Sequence, residues 1–191
     1  MKSLGTIGLG FLGLLLGLAT ASAADDFKLE EGYVTLFNGT NLTGWGYRTT
    51  NFDGKLASND GRFAATNGVI LVNPREPRLI QTLITTRQFS NDFTLKLEFR
   101  AAVNADSGVL IGNRQLQVRD YLVAGPYTEL KQYKAQDWNE IEIIVKGGVA
   151  HCTCNGEVLE AEMPVPAIRT IGLEGDRGQM EYRRIRIKAS P

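Results

Sequence analysis

The chain has 191 residues, of which 21 are Lys or Arg, 21 are Asp or Glu and one is His. Because these charges balance, the sequence gives no electrostatic basis for binding nucleic acid or an anionic membrane surface. The single histidine also leaves only one base for a Ser-His-Asp triad, so that class of hydrolase is disfavoured.

The first 23 residues have the pattern of a signal peptide. Lys2 is followed by the apolar run Leu4–Leu18, and Ala21-Ser22-Ala23 has the small side chains that signal peptidase recognises. The run is too short and too rich in glycine for a membrane span. We therefore expect cleavage after Ala23 and a periplasmic or secreted protein. Residues 24–191 are long enough for a single domain with its own core.

Short strands separated by turn residues follow one another along the mature chain. Tyr33–Phe37 is the first, and the polar stretch Tyr47–Arg62 is typical of a loop. Phe63–Val72 predicts a hairpin that turns at Asn67-Gly68. Leu79–Thr86 is rich in β-branched residues and predicts a further strand.

The clearest strand is Phe93–Arg100, which alternates strictly between apolar and polar residues. Its apolar side chains should face a core, while Lys96, Glu98 and Arg100 share the other face. If that face lines a groove, Glu98 lies between two cations that keep it ionised. The other interpretation is a solvated sheet face with a harmless row of charges.

Seven more strands are predicted after this one. They are Ser107–Ile111, Gln115–Asp120, Trp138–Lys146, Val149–Cys154, Glu157–Leu159, Ile168–Glu174 and Met180–Lys188. Many short strands without a long amphipathic helix favour an all-β sandwich or barrel. A polar outer sheet face would suit a sugar, whose hydroxyl groups need many hydrogen-bond partners.

Cys152 and Cys154 lie one residue apart on a predicted strand. They should share one face at about 6.5–7 Å, at or beyond the usual reach of a disulfide. Two buried thiols are the favoured interpretation, and a strained redox pair is the alternative. His151 points to the opposite face, so the sequence predicts no zinc site here.

Eight motifs together resemble one known family. They are LFNGTNLTGW (36–45), FTLKLEFR (93–100), DSGVLI (106–111), LQVRD (116–120), DWNEIEIIVKG (137–147), CNGE (154–157), IGLEGDRG (171–178) and EYRRIRIK (181–188). In this order the motifs are similar to those of the 3-keto-disaccharide hydrolases. The resemblance spans essentially the whole mature chain.

The resemblance implies a concanavalin A-like jelly-roll sandwich of two antiparallel sheets. It also implies cleavage of glycosides that are already oxidised at C3, with a small carbohydrate as the substrate. A C3 ketone acidifies the C2 proton, so a base can remove it and the C1 substituent can leave before water adds. Such an enzyme needs a base, a group that holds the enolate oxygen and an acid. Some relatives use a metal, but the sequence of this chain predicts no cofactor.

The resemblance also implies which residues form the site. Glu98 and Arg100 match the LEFR motif, with Glu98 expected as the acid-base residue and Lys96 or Arg100 as stabilisers of negative charge. The expected substrate-binding residues are Gln115, Gln117, Asp106, Glu174 and Asp176. Two of these depart from the family pattern, since relatives usually have Asn where this chain has Asp106 and Gln where it has Glu174. At the position of Asp176, many relatives have an acidic residue or His.

A carbohydrate-binding module without activity is the alternative, since the same sandwich often serves as a lectin. Exposed aromatic side chains on the concave sheet would favour that module. A polar cleft around a carboxylate with a perturbed pKa would favour the enzyme.

Overall fold

The computed structural model of the chain describes residues 26–190, so the predicted signal peptide lies outside the described residues. Two antiparallel sheets account for all the strands. The larger sheet contains β1 (Val34–Thr35), β4 (Phe63–Thr66), β5 (Val69–Val72), β7 (Phe93–Ala101), β10 (Asn139–Lys146), β11 (Val149–Cys154), β12 (Glu157–Pro164) and β14 (Met180–Ala189). The smaller sheet contains β2 (Trp45–Tyr47), β3 (Thr50–Asn51), β6 (Gln81–Thr85), β8 (Asp106–Ile111), β9 (Arg114–Arg119) and β13 (Ile171–Gly175).

The chain crosses repeatedly between the two sheets. The larger sheet has the order β12-β11-β10-β7-β14-β5-β4, with β1 added along β14, and the smaller has the order β3-β2-β6-β13-β8-β9. Strands β6, β7 and β8 therefore alternate between sheets, which brings one face of each sheet onto a shared core. None of residues 26–190 is helical. The predicted all-β, two-sheet jelly-roll sandwich is confirmed.

Strand β7 shows how the alternation builds this core. Phe93, Leu95, Leu97 and Phe99 are 2% exposed or less, whereas each residue between them is only half-buried. Neighbouring β10 repeats the pattern, and Leu95 and Leu97 lie opposite Ile143 and Ile141. Since every inward side chain belongs to the core, the alternate residues of each sheet lie on an outer face of the sandwich.

Two segments differ from the sequence prediction. The polar stretch at Tyr47–Arg62 contains β3 and the last residue of β2, because Gly46 and Tyr47 pair with Asn51 and Thr50 in a short hairpin despite the weak strand propensity of Gly and Asn. The strand predicted at Glu157–Leu159 continues to Pro164, since its partner β11 supplies hydrogen bonds along that length.

Both cysteines are buried on β11 and are free thiols. Burial raises the pKa of Cys152 and of Cys154 to about 12. Trp45 is fully buried and donates its indole N–H to the carbonyl of Leu36 at 2.7 Å. No helical segment in residues 26–190 has the length and apolar character of a membrane span.

Candidate active site

The structure places the predicted site residues on two opposite faces of the sandwich. Lys96, Glu98 and Arg100 lie on the outer face of the larger sheet, because their neighbours in β7 fill the core. The other five lie on the outer face of the smaller sheet or at the end of its strand β13; they are Asp106, Gln115, Gln117, Glu174 and Asp176. The expected catalytic and substrate-binding residues therefore do not form a single site.

Glu98 is held in an ion-pair cluster. Its Oε2 accepts a hydrogen bond from Arg183 Nε at 2.7 Å, and its Oε1 accepts one from Arg184 Nη1 at 2.5 Å. Its side chain is only 12% exposed. The guanidinium group of Arg183 also lies 4.0 Å from the ring centroid of Trp138. Because guanidinium groups occupy both carboxylate oxygens, Glu98 is placed to fasten β7 to β14 and not to take a proton from a substrate.

The two neighbours of Glu98 are also paired. Lys96 Nζ lies 3.4 Å from a carboxylate oxygen of Glu142, and Arg100 Nε donates to Glu181 at 2.5 Å. The charges on this face therefore neutralise one another across adjacent strands.

The N-terminal segment covers part of the same face. Glu30 accepts two hydrogen bonds from Arg186, at 2.7 and 2.8 Å, and these bonds lower the pKa of Glu30 to about 2. The Phe27 ring lies 4.7 Å from the guanidinium group of Arg184. Arg186 is therefore only 3% exposed, because this segment packs over it.

The outer face of the smaller sheet carries a different arrangement, built around three carboxylates. Asp106 begins β8, Glu174 lies near the end of β13, and Asp176 follows that strand. β13 and β8 are adjacent antiparallel strands, with Leu173 opposite Val109, so the end of one meets the beginning of the other. Three acidic side chains therefore lie near one another where β13 ends and β8 begins.

Two of these carboxylates are matched by cations. Asp106 accepts a hydrogen bond from Gln117 Nε2 at 2.7 Å, and its other oxygen lies 3.5 Å from both Arg119 and Arg177. Asp176 is 8% exposed, and the guanidinium group of Arg78 donates to both of its oxygens. Guanidinium groups therefore pair with the carboxylates of both Asp106 and Asp176.

Glu174 is the exception. Its carboxylate accepts a hydrogen bond from Gln115 Nε2 at 2.7 Å, and among residues 26–190 it has no ion pair with Lys or Arg. Burial raises the pKa of Glu174, and the nearby charges of Asp176 and Asp106 raise it further. A carboxyl group with a raised pKa, half-buried among polar side chains, is typical of a general acid or base.

A glycine makes the contact between Gln115 and Glu174 possible. Gly108 lies between these residues, and a Cβ added there would come within 2.4 Å of Gln115 Nε2 and 2.6 Å of its Cγ. Gln115 therefore lies flat across the backbone of β8 to reach the next strand. The glycine of the DSGVLI motif thus has a role in the site that the sequence pattern alone did not indicate.

Sequence reasoning missed the three arginines of this site. Arg78 comes from the loop before β6, Arg119 from the end of β9 and Arg177 from the turn after β13. Arg119 is 6% exposed, and its Nε has no hydrogen-bond partner in residues 26–190. Nothing in the local sequence pattern of β9 indicates that Arg119 lies beside Asp106.

The described residues do not fit a metal ion. In residues 26–190, no three His, Cys, Asp or Glu side chains converge in a way that could hold one. Guanidinium groups already occupy Asp106 and Asp176, and His151 lies on β11 of the other sheet.

Comparison with known proteins identifies a family for this chain and solved structures that share its fold. The family model of the 3-keto-alpha-glucoside-1,2-lyase-like domain matches residues 32–188. No curated protein sequence matches the chain.

The sandwich is also found in solved structures, three of which are compared with this chain. Two are proposed glycosyl hydrolases from Parabacteroides distasonis ATCC 8503, with TM-scores of 0.66 and 0.61 at 16% and 20% identity. The alignments cover 86% and 83% of this chain and 99% of each relative. The third is the exoplasmic domain of VIP36 in a form bound to Ca2+ and Man3GlcNAc, with a TM-score of 0.50 and 10% identity, covering 85% of this chain and 90% of that one. At these identities the likeness establishes the fold.

Proposed function

The chain belongs to the 3-keto-alpha-glucoside-1,2-lyase-like family, and from this premise we propose that it cleaves glycosides already oxidised at C3, with Glu174 as the acid-base residue. The observation that carries the proposal is the raised pKa of Glu174, which arises from its burial and from the two nearby carboxylates. The proposed substrate is a small carbohydrate that lies against the outer face of the smaller sheet.

The reaction begins with loss of the C2 proton, which the neighbouring ketone makes acidic. A base takes this proton, and the electron pair of the C–H bond forms an enolate whose negative charge lies on the C3 oxygen. The enolate then expels the C1 substituent, which leaves as an alcohol once its oxygen gains a proton from solvent. The product sugar has a double bond between C1 and C2, and addition of water at C1 completes the overall hydrolysis.

The site contains a residue suited to act as the base, one suited to hold the enolate oxygen, and amides suited to bind the sugar. Glu174 in its ionised form accepts the C2 proton, and its raised pKa makes it a stronger base than an ordinary glutamate. Arg177 borders the same cluster and is 45% exposed, so it can turn towards an enolate oxygen while Asp106 retains Arg119. Gln115 and Gln117 carry amides that can bind sugar hydroxyl groups.

This assignment replaces Glu98 as the expected acid-base residue. Glu98 is engaged by two guanidinium groups and lies on the opposite outer face from Glu174. A base in that position would first have to break two charge-assisted hydrogen bonds. The family resemblance thus supports the activity, whereas the geometry supports Glu174, and not Glu98, as the acid-base residue.

The alternative of a non-catalytic carbohydrate-binding module is less well supported. Such modules stack sugars on exposed aromatic rings, but Trp45 is buried and Trp138 packs against arginines on the larger sheet. The face that holds Glu174 instead presents amides, guanidinium groups and carboxylates. We also propose that the protein acts outside the cytoplasm, on the evidence of the signal-peptide pattern in residues 1–23.

The test is incubation of the purified protein with methyl 3-keto-α-glucoside in D2O, followed by NMR. The expected result is exchange of the C2 proton for deuterium together with release of methanol, and neither for unoxidised methyl α-glucoside. The variant Glu174→Gln should lose both signals while remaining folded. Binding of the sugar without exchange or cleavage would refute the reaction and support the binding module.

A further inference from the structure

A bulge interrupts the pairing of β13 with β8 at the residues that carry the acidic cluster. Leu173 lies opposite Val109, and the pairing resumes at Arg177, which exchanges backbone hydrogen bonds of 2.7 and 3.1 Å with Asp106. Between these two pairs, three residues (174–176) face only two residues of β8. An extra residue on one strand bends that strand and re-aims its side chains, and such bulges are common beside active sites. The direction of the side chains in the bulge therefore depends on what holds its backbone.

Two buried hydroxyl groups form a chain that ends on this bulge. Ser107 Oγ donates a hydrogen bond to the backbone carbonyl of Glu174 at 2.5 Å, and it lies 2.7 Å from the hydroxyl oxygen of Tyr182. Because the single proton of the Ser107 hydroxyl is used on the carbonyl, Tyr182 must donate to Ser107. Both side chains are fully buried, and burial raises the pKa of Tyr182, so the phenol keeps its proton. Tyr182 belongs to β14 of the larger sheet, so the chain of hydrogen bonds crosses the core from one sheet to the other.

A buried arginine holds the other end of the bulge. Arg62 Nη2 donates to the backbone carbonyl of Asp176 at 2.7 Å, and its Nη1 donates to the carbonyl of Asn73 at 2.6 Å. Gly175 leaves room for this arginine, since a Cβ added there would come within 2.6 Å of Arg62 Nε. The carbonyls on both sides of Gly175 are therefore bound by side chains that are themselves buried.

We propose that Ser107 and Tyr182 are positioning residues for Glu174, because their hydroxyl chain holds the bulged end of β13 so that the Glu174 carboxyl group can take a proton. The inference rests on the proposed function, since it explains how the acid-base residue is placed. Both hydroxyl groups are buried and act through the backbone of Glu174. An anchor of this kind matters because a displacement of about 1 Å in a reacting group can lower a rate by about a hundredfold.

The anchor also determines the surroundings of the Glu174 carboxyl group. Burial has the largest effect on its pKa, and the charges of Asp176, after β13, and Asp106, on β8, come next; all three raise it. The hydrogen bond from Gln115 and the charge of Arg78, from the loop before β6, lower the pKa, each by less. If the bulge relaxes, the carboxyl group gains contact with water and moves away from the aspartates, so its pKa should fall towards the ordinary value. A shifted titration would thus report a displaced carboxyl group.

The experiment follows the titration of Glu174 by NMR of its 13C-labelled carboxyl group, which needs no substrate; Glu174→Gln identifies the signal. Ser107→Ala removes both hydrogen bonds and should lower the midpoint by about 0.5–1 pH unit, within the spread that surroundings produce for glutamates in folded proteins. Tyr182→Phe keeps the ring and leaves the bond from Ser107 to Glu174, so it should lower the midpoint by less. Because Tyr182 acts through Ser107, the double variant should match Ser107→Ala.

Thr85→Val is the matched control. The buried hydroxyl of Thr85 accepts a hydrogen bond from the backbone N–H of Ile171 at 3.0 Å, so this variant removes a bond from the opposite end of β13. It should lower Tm about as much as Ser107→Ala does, since each leaves a buried backbone group without its partner, but the midpoint of Glu174 should not move. With methyl 3-keto-α-glucoside, Ser107→Ala should lower kcat for C2 exchange about tenfold and change KM less than about twofold, whereas Thr85→Val should preserve both.

The outcomes separate this inference from the proposed reaction. If the wild type neither exchanges nor cleaves the glycoside, yet Ser107→Ala moves the midpoint of Glu174 and Thr85→Val does not, the reaction fails and the positioning role stands. An unmoved midpoint in folded Ser107→Ala, or an equal movement in Thr85→Val, would mean that the hydroxyl chain only stabilises the core, and would overturn the assignment. Should Ser107→Ala fail to fold, Tyr182→Phe decides by the same criterion, since it removes a single oxygen atom.

Discussion

Replacing Glu174 with Gln should inactivate the protein without unfolding it. The substitution preserves the shape of the side chain and leaves an amide oxygen that can still accept the hydrogen bond from Gln115. Only the capacity to take a proton is removed. Loss of a general base typically lowers turnover by about 10²–10⁴-fold, so exchange at C2 and cleavage should both fall by at least about a hundredfold.

The same substitution has a predictable effect on stability. Because the folded pKa of Glu174 is raised, its contribution to stability is fully present below the pKa of an unfolded glutamate and is lost as the pH rises through the folded pKa. Gln has no such dependence. The Tm of Glu174→Gln relative to the wild type should therefore increase as the pH rises from 4 to 8, as measured by thermal denaturation. A variant that is inactive yet relatively more stable at neutral pH is difficult to explain by misfolding.

Glu98→Gln is the matched control on the other sheet. It removes the charge from a carboxylate that is 12% exposed and hydrogen-bonded to two guanidinium groups. The free energy of unfolding should therefore fall by about 2 kcal/mol, a value between those of exposed and buried ion pairs. In a chain of this length that corresponds to a fall in Tm of about 4–8 °C. Its kcat should remain within about twofold of the wild type, since Glu98 lies outside the proposed site. If Glu98→Gln abolished C2 exchange and Glu174→Gln spared it, the assignment from geometry would be refuted.

Three further predictions concern ionisation. Asp106→Asn should move the ascending limb of the kcat/KM pH profile to lower pH, since the charge of Asp106 helps to raise the pKa of Glu174; an unmoved limb would contradict this coupling. Cys152 and Cys154 should resist alkylation in the native protein at pH 8 and react once it is unfolded, because burial raises both pKa values to about 12; a disulfide seen by mass spectrometry would overturn this. Glu30→Gln should lower stability by about 0.2–1 kcal/mol at pH 7, as is usual for exposed ion pairs, and the difference should vanish as the pH falls through its folded pKa of about 2, as measured by urea denaturation.

The fold could be predicted because its signal is local. In β7, four buried side chains alternate with four half-buried ones, and this period of two is visible in the sequence without any partner strand. The hairpin at Asn67-Gly68 is also local, since both residues adopt the positive φ angles that the sequence suggests. The β2–β3 hairpin was missed because β2 depends on pairing with β6, and β3 on pairing with β2, and not on their own composition.

The site could be predicted only in part, because alternation shows which side chains point outward but not which sheet carries them. The family resemblance implied both Glu98 and Glu174 as site residues, yet the two lie on opposite faces. The environment of each depends on contacts distant in the chain. Arg183 is 85 residues from Glu98, and Arg78 is 98 residues from Asp176. These contacts decide which carboxylate is neutralised and which retains a raised pKa.

Gly108→Ala is the sharpest test of how the site is assembled, because it changes no functional group. The new methyl group would lie 2.4 Å from Gln115 Nε2 and 2.9 Å from its Cδ, so the glutamine must leave its place on β8. The three nearest atoms belong to this one side chain, and Gly108 lies outside the positive-φ region, so the fold should tolerate the change. The hydrogen bond to Glu174 would then be lost.

That hydrogen bond lowers the pKa of Glu174 against the larger effect of burial. Gly108→Ala should therefore move the ascending limb of the kcat/KM profile to higher pH and reduce activity at pH 6 more than at pH 9. Gln115→Ala, which removes the same bond directly, should shift the limb in the same direction. A Tm within about 2 °C of the wild type would exclude a general loss of structure, since this corresponds to less than about 1 kcal/mol. If Gln115→Ala shifts the profile and Gly108→Ala does not, the glycine is not what allows the glutamine to reach Glu174, and the proposed assembly of the site is wrong at that step.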